Sequence, residues 1–401
     1  MISFSEARSR ILEQVNPISQ MENIPVQKAA GRILAKSVVA AHAVPNHDNS
    51  GMDGYAVRFA DLAKEIPTTL RVTADLPAGS RLERTVGPGE AIRIMTGAPI
   101  PDGCDCVVMQ EVVTRQGAEV TIPPGQKIKQ NVRPAGEDMQ EGQEVMHPGR
   151  RLSPADVGLL TTLGFNEIIV YRRIKVGVLS TGNEVVEPPT PLLPGQVYDS
   201  NRMALLAALQ SMGVETLNMG LVGDDRNAIA GALRRGAQEC DAILTSGGVS
   251  VGDFDLVKEV LQDIGSIHFW KVAMKPGKPQ AYGQLGQATF FGLPGNPVSS
   301  LAVFLLMVRP ALFRLMGAEP QPEKRLMLPF RGTHHKKHDR MDFLRGVVYF
   351  QPEGAWVTLS GGQGSGILSG MANANALIAL PESPLSIADG DLVPVWLIDY
   401  A

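Results

Sequence analysis

Three short polar stretches hold the residue types best suited to chemistry: STGNE (Ser180 to Glu184), the pair Asp224 and Asp225, and SGGVSVGDFD (Ser246 to Asp255). Each follows an apolar run, so each reads as a loop at the end of a strand. Glycines such as Gly247 and Gly248 let backbone N–H groups turn toward an anion, Ser246 adds a hydroxyl, and the start of a following helix adds partial positive charge. A lone glycine pair only ends a strand, but three such loops in succession suit a phosphate or oxyanion. The next loop, KVAMKPGKP, carries Lys271, Lys275 and Lys278 and is stiffened by Pro276 and Pro279. Its ammonium groups could converge at low ordering cost, although a lysine cluster is otherwise a solvated face. LPGNP (Leu293 to Pro297) then runs into an apolar helix from Val298, with Asn296 suited to cap it and Pro297 to its first position.

More acids lie upstream. Asp53 in NSGMDGY and Asp138 in GED sit in glycine turns and, alone, could be simple turn formers. Facing one cleft with Glu184, Asp224 and Asp255, they would place five acids among lysines. That mixture suits a magnesium-bridged phosphate or oxyanion, because Mg²⁺ takes oxygen ligands and screens the acids from the anion. Downstream, Arg345 in FLRG and the loop SGGQGS (Ser360 to Ser365) offer anion donors, though a Gly-Ser turn is often only a turn. HHKKH (His334 to His338) reads as a solvated or anion-facing loop rather than a metal site. Neither a G-x-x-x-x-G-K-[ST] loop nor a C-x-x-C is present, so P-loop and thiol-redox chemistry lack support.

The elements that must position these residues follow from periodicity. Phe4, Ala7, Ile11, Leu12 and Val15 predict a helix that stops at Asn16-Pro17. Residues 41–138 alternate in short runs such as TLRVTAD and AIRIM between Gly and Pro turns, and read as an inserted β domain. It separates two segments, 1–40 and 139–173, of one domain, the second beginning a helix at Ser153-Pro154. Residues 174–322 alternate strand and helix (IKVGVL, a helix from Ser200 or Asn201, VETLNMG, AIAGALRRGAQE, DAILTS, FDLVKEVLQDI, IHFWKVA), which predicts a doubly wound parallel α/β domain binding its ligand beyond the strands' carboxyl ends. Residues 323–401 show short alternating runs without a convincing helix and predict a C-terminal β barrel.

Length and charge set limits. The 401 residues suffice for two or three cores. A net charge of −4 supplies no global field for nucleic acid or an anionic membrane, so any anion site must be local. Gly 42 and Pro 29 make about 18% of the chain where average usage gives about 12%, which means many tight turns. Cysteine occurs at only 104, 106 and 240, so no disulfide framework is expected. The amino terminus lacks the apolar core of a signal peptide and the longest uncharged apolar run, Leu301 to Val308, is too short to span a bilayer, so a cytoplasmic protein with no membrane partner is expected.

In order and spacing, DNSGMDGYA, RIMTGAP, GED, STGNE, TSGGVSVG, KPGKP and LPGNP resemble the MoeA family, the molybdopterin molybdenumtransferases, also found as the E domain of gephyrin. The resemblance implies four domains: an elongated one of two segments, an inserted β domain, an α/β domain similar to molybdopterin adenylyltransferase, and a C-terminal β barrel. It implies Mg²⁺-dependent insertion of molybdate into adenylylated molybdopterin with release of AMP. It also implies a homodimer whose cleft joins the α/β domain of one subunit to the inserted domain of the other, working with molybdopterin adenylyltransferase and with apo-molybdoenzymes or their chaperones. By motif, Asp53, Thr96, Arg133 and Asp138 would come from the inserted side. Glu184, Asp224, Asp255, Lys271, Lys275, Pro294 and Pro297 would come from the α/β side, and Arg345 and Ser365 from the barrel. Lys275, Lys278, Arg345 and Ser365 are expected to hold molybdate and phosphate by charge-assisted hydrogen bonds, and Glu184, Asp224 and Asp255 to hold Mg²⁺ or the adenylate. Two other readings compete: a molybdopterin adenylyltransferase, which would leave the residues outside the α/β domain without a role, and a non-enzymatic gephyrin-like scaffold.

Overall fold

The computed structural model describes all residues except 249–255, 321–322, 353 and 401. The chain divides into two units: Met1–Ala35, Pro148–Val157 and Glu167–Ala401 form the first, and Lys36–His147 with Gly158–Asn166 form the second.

The first unit is organised by a six-stranded sheet of β1 (Lys175–Thr181), β2 (Glu215–Val222), β3 (Ala242–Ser246), β4 (Ser266–Lys271), β5 (Pro279–Leu285) and β6 (Ala288–Leu293). Their spatial order is β2-β1-β3-β6-β5-β4. Neighbouring residues feed opposite faces. Val178, Leu244 and Phe291 enter one core, while Leu179, Ile243 and Phe290 enter the other. This is the period-2 alternation of a sheet covered on both sides. Helices α1 (Ser200–Ser211), α2 (Arg226–Glu239) and α3 (Leu256–Ile264) connect the strands, with Asp199 and Asp225 capping α1 and α2 by accepting from Arg202 N and Ala228 N.

The fully parallel sheet expected from the sequence is corrected at one end: β5 runs antiparallel to both β4 and β6. PQAYGQL carries little strand signature, yet Leu285 faces Ala288 across the two-residue turn Gly286-Gln287, and Gly286 adopts φ 60. A two-residue hairpin needs that left-handed conformation. After β6, helix α4 (Pro297–Leu315) is long and apolar enough to cross a bilayer, with mean hydropathy 1.7, but 72% of that stretch is already buried inside the protein. It is a core helix. A π turn at Phe304–Val308 interrupts it just before Pro310, whose missing N–H cannot continue the α ladder.

The amino-terminal helix Phe4–Gln14 shares the α4-side core through Phe4, Ala7 and Ile11. Its Phe4 ring lies 5.0 Å from that of Phe343 and 6.0 Å from that of Trp396, so it also packs on the C-terminal strands. Those strands, Arg325–Pro329, Met341–Gln351, Gly354–Leu359, Ala376–Leu380 and Leu392–Leu397, curl into a barrel closed by the Phe330–Val357 bridge. One short helix, Leu368–Ala372, lies in a region read from sequence as having none. The barrel sheet also takes in Met274–Lys275, which pairs parallel with Met341–Asp342.

The second unit is built on another six-stranded sheet that includes Gly54–Val57, Glu90–Ile94 and Cys106–Met109. Here too alternate residues serve different cores, Tyr55, Val57 and Val108 on one side and Ala56, Ile92 and Val107 on the other.

The helix Pro154–Thr162 begins with a reciprocal cap. Asp156 N donates to Ser153 Oγ at 3.2 Å, Ser153 N donates to Asp156 Oδ2 at 2.8 Å, and Arg150 donates to Asp156 Oδ1 at 2.7 Å. Burial pushes the Asp156 carboxyl up, but the Ser153 N–H, the Arg150 guanidinium and the Ser153 hydroxyl outweigh it and leave it below the usual carboxylate range. A depressed value means stability that is fully present above about pH 4, the unfolded aspartate range, and is lost as pH falls through the lower folded value. Asp156→Ala is expected to cost about 1–2 kcal/mol in denaturant unfolding at pH 7, with the difference from wild type shrinking in acid. An unchanged difference at low pH would contradict this assignment.

Candidate functional site

In the first unit, the sequence-nominated residues lie around the carboxyl ends of the parallel strands. The loop after β1 meets the loop after β2 through paired bonds: Asp224 N donates to Asn183 Oδ1 at 3.0 Å, and Asn183 N donates to Asp224 Oδ2 at 3.3 Å. Asp225 is spent on capping α2, so Asp224 is the loop's outward acid. Both Asp224 and Glu184 are exposed, and the Glu184 carboxylate folds back over Gly182, where an added Cβ would stand 2.5 Å from Oε2. Asp255, the third nominated metal ligand, lies outside the described residues. Among the described residues no cluster of three or more His, Cys, Asp or Glu can enclose a metal.

The turn after β3 is tied to the turn after β6. Gly247 N donates to Leu293 O at 3.1 Å, and a Cβ on Gly295 would stand 3.9 Å from Gly247 Cα. Gly247 and Gly248 adopt φ 90 and φ 70, and a Cβ at Gly248 would fall 2.3 Å from Val257, so glycine is required there. Asn201, in the first turn of α1, crosslinks the pair by donating through Nδ2 to Ser246 Oγ at 2.8 Å and to Gly295 O at 2.7 Å. Sequence reasoning used Asn201 only as a possible helix start. Its position beside Asp199, which binds both Ser180 Oγ and buried Arg202, is the signal that could have marked it.

Pro294 is buried in this turn and Pro297 opens α4. Asn296 occupies the cap position without a side-chain capping bond. Instead Val298 N donates to Ser365 O at 3.2 Å, so the barrel loop SGGQGS closes over the start of α4. Arg345 holds that loop. It is 2% exposed, and its Nη2 donates to Gly362 O at 2.9 Å and Gly364 O at 3.0 Å. Arg345 thus brings Ser365 into place, and its guanidinium is engaged with carbonyl oxygens.

Lys271 and Lys278 are exposed at the two ends of the β4–β5 connection, joined where Val272 N donates to Lys278 O at 2.8 Å. Lys275, between them, lies 3.7 Å from the buried carboxylate of Asp342. Sequence reasoning missed Asp342, which sits three residues before Arg345 on the same strand.

In the second unit, Asp53 and Thr96 are brought together. Thr96 N and Oγ1 both donate to Asp53 Oδ1 at 2.7 Å. That N–H first, then the hydroxyl, hold the Asp53 carboxyl below the usual range. Arg133 lies on the short strand paired with Asn49–Ser50, and its side chain packs beside Gly51. Asp138 is exposed, in a turn fastened by its N–H to Val44 O at 3.0 Å and by Ala135 N to Asp48 Oδ1 at 2.8 Å.

Fold and site define a multidomain α/β protein whose sheet presents glycine turns, lysines and acids at its carboxyl ends, with a β barrel closing over one of those turns. Residues 177–314 match the model of a probable molybdopterin binding domain. Residues 2–164 match the MoeA N-terminal region (domain I and II), and residues 328–398 match the MoeA C-terminal region (domain IV). The chain is similar to a molybdopterin molybdenumtransferase of Haemophilus influenzae, 40% identical over 98% of each chain, and to molybdopterin molybdenumtransferase 2 of Mycobacterium tuberculosis, 35% identical over 98% of each. The crystal structure of the molybdopterin biosynthesis MoeA protein of Pyrococcus horikoshii OT3 superposes with a TM-score of 0.87 at 30% identity, covering 99% of this chain and 100% of that one. This chain belongs to the MoeA family.

Proposed function

We propose that this enzyme is a molybdopterin molybdenumtransferase that inserts molybdate into adenylylated molybdopterin, with Mg²⁺ dependence and release of AMP. The observation that supports it most directly is the pair of glycine turns locked by Asn201 at the sheet's carboxyl end, on a chain matched from end to end by relatives carrying that name. Backbone amides at such turns suit phosphate groups. Lys275 and Lys278 supply charge for a small dianion, and Ser365 a hydroxyl. Holding both substrates at fixed separation makes loss of AMP and capture of the metal one coupled event rather than two encounters.

The acids present fit Mg²⁺. That ion needs only one or two carboxylates when waters and substrate phosphates complete its shell, and Glu184 and Asp224 are exposed oxygen donors on two loops joined through Asn183. Bound there, Mg²⁺ would neutralise phosphate charge. Glu184→Gln and Asp224→Asn are each expected to raise the Mg²⁺ concentration needed for half-maximal activity by about tenfold or more, the consequence of losing a charged ligand. A Mg²⁺ titration of each variant checks this, and unchanged midpoints would remove both residues from that role.

The deciding experiment combines purified protein, adenylylated molybdopterin, Mg²⁺ and micromolar molybdate, and follows AMP release together with reconstitution of an apo-molybdoenzyme. Both are expected to appear together and to require molybdate. Adenylylation of molybdopterin from ATP would instead establish the adenylyltransferase reading, and adenylate binding without AMP release the scaffold reading. The proposed partners are a second copy of this chain, an upstream adenylyltransferase, and downstream apo-molybdoenzymes or their chaperones.

A further inference from the structure

Asp342 is 1% exposed, and its Oδ2 forms no hydrogen bond among the described residues. A buried carboxylate in that condition is costly unless nearby charge compensates it. The compensation is concentrated on this one oxygen: Lys275 Nζ lies 3.7 Å away and His338 Nε2 3.3 Å away. His334, buried Lys336 and Arg345 lie within electrostatic range. Lys336 is already committed to His338 O and Ser383 O, and Arg345 to the carbonyls of Gly362 and Gly364. Burial holds the His338 imidazole toward its neutral form, more strongly than Asp342 draws it back. Lys336 and Arg345 keep their charge but spend their hydrogen bonds elsewhere, so among the described residues Lys275 is the lysine or arginine whose charged end comes within 4 Å of the Asp342 carboxylate.

The backbone makes this pairing deliberate. Lys275 and Asp342 are register partners in the parallel pairing of Met274–Lys275 with Met341–Asp342. Directly opposed residues in a ladder project to the same face. Asp342 is the second residue of the strand that carries Arg345, so one barrel strand reaches the α/β loop and also holds the SGGQGS loop.

We propose that Asp342 is the positioning residue for Lys275, a buried carboxylate that fixes the ammonium of a long flexible side chain at the anion site. Lys275 is 40% exposed, so without this anchor its four-carbon stem would sample many rotamers, and ordering it would be charged against anion binding. The inference rests on the reading of Lys275 as an oxyanion-binding group.

The test has one arm that does not depend on activity. Acetylation by an N-hydroxysuccinimide ester, mapped by peptide mass spectrometry, gives the rate at Lys275 relative to Lys278 in the same molecule. Asp342→Asn is expected to raise that ratio several-fold. It is also expected to raise the KM for molybdate roughly tenfold, equivalent to about 1.4 kcal/mol, with a much smaller change in kcat. An unchanged acetylation ratio in folded Asp342→Asn overturns the proposal. A raised ratio with an unchanged KM upholds the anchor and overturns the oxyanion role of Lys275. Should Asp342→Asn not fold, Lys275→Met strands the buried carboxylate and lowers Tm; adding Asp342→Asn to it restores part of the loss if the two are coupled, and no restoration overturns the pairing.

Discussion

Lys275→Ala is expected to lower molybdate-dependent AMP release by about two orders of magnitude, the loss typical when one preorganised donor to a developing or transferring anion is removed. Its side chain is 40% exposed and sits on a loop stiffened by Pro276 and by Gln280, whose Nε2 donates to Gly277 O at 2.8 Å. The protein should therefore remain folded, with Tm lowered by the unpaired Asp342 and circular dichroism unchanged. Lys278→Ala should cost less, because Lys278 is exposed and has no ion-pair partner among the described residues. Lys275→Arg should rescue only partly: a planar guanidinium prefers a bidentate partner, and the single Asp342 oxygen at 3.7 Å suits a compact ammonium. The measurement is initial rate against molybdate concentration at saturating adenylylated substrate. Activity within threefold of wild type for Lys275→Ala would remove this lysine from the chemistry and from the anion site.

What the sequence made legible was set by how local each signal is. Strands such as KVGVLST and AILTS declare themselves by runs of apolar residues bounded by polar loops, and α1 by its leucine spacing, so the α/β frame and the strand-end placement of Glu184, Asp224 and Ser246 could be read directly. Strand β5 could not, because PQAYGQL has glycine and glutamine where a strand signature would have branched residues. Its identity comes from pairing on both sides. Met274–Lys275 is shorter still, and its partner lies more than sixty residues downstream. Arg345 shows the same limit in chemical form. A guanidinium suits an anion or a carbonyl equally by residue type, and only the fold reveals that its Nη2 grips the loop bearing Ser365. Asp342 gave no signal because a carboxylate on an exposed-looking basic stretch resembles an ordinary surface charge, whereas its burial makes it decisive.

Mixing two inactive variants, Asp53→Asn and Lys275→Ala, should restore activity if each working cleft in the proposed homodimer takes Asp53 from one subunit and Lys275 from its partner. Random exchange gives half the dimers as heterodimers. In each, one cleft collects both substitutions and the other collects neither, so about a quarter of all clefts become wild type. The choice of residues matters. Asp53 is exposed, and its known partner, Thr96, belongs to the same unit, so Asp53→Asn disturbs one local turn. Lys275 sits in the other unit and its loss leaves the Asn201 crosslink between the glycine turns in place. Recovery should rise with the time allowed for subunit exchange and plateau near that fraction, while unmixed controls stay inactive. If mixed samples exchange subunits, as mass spectrometry of differently labelled chains would show, yet remain inactive, the cleft shared between subunits is overturned.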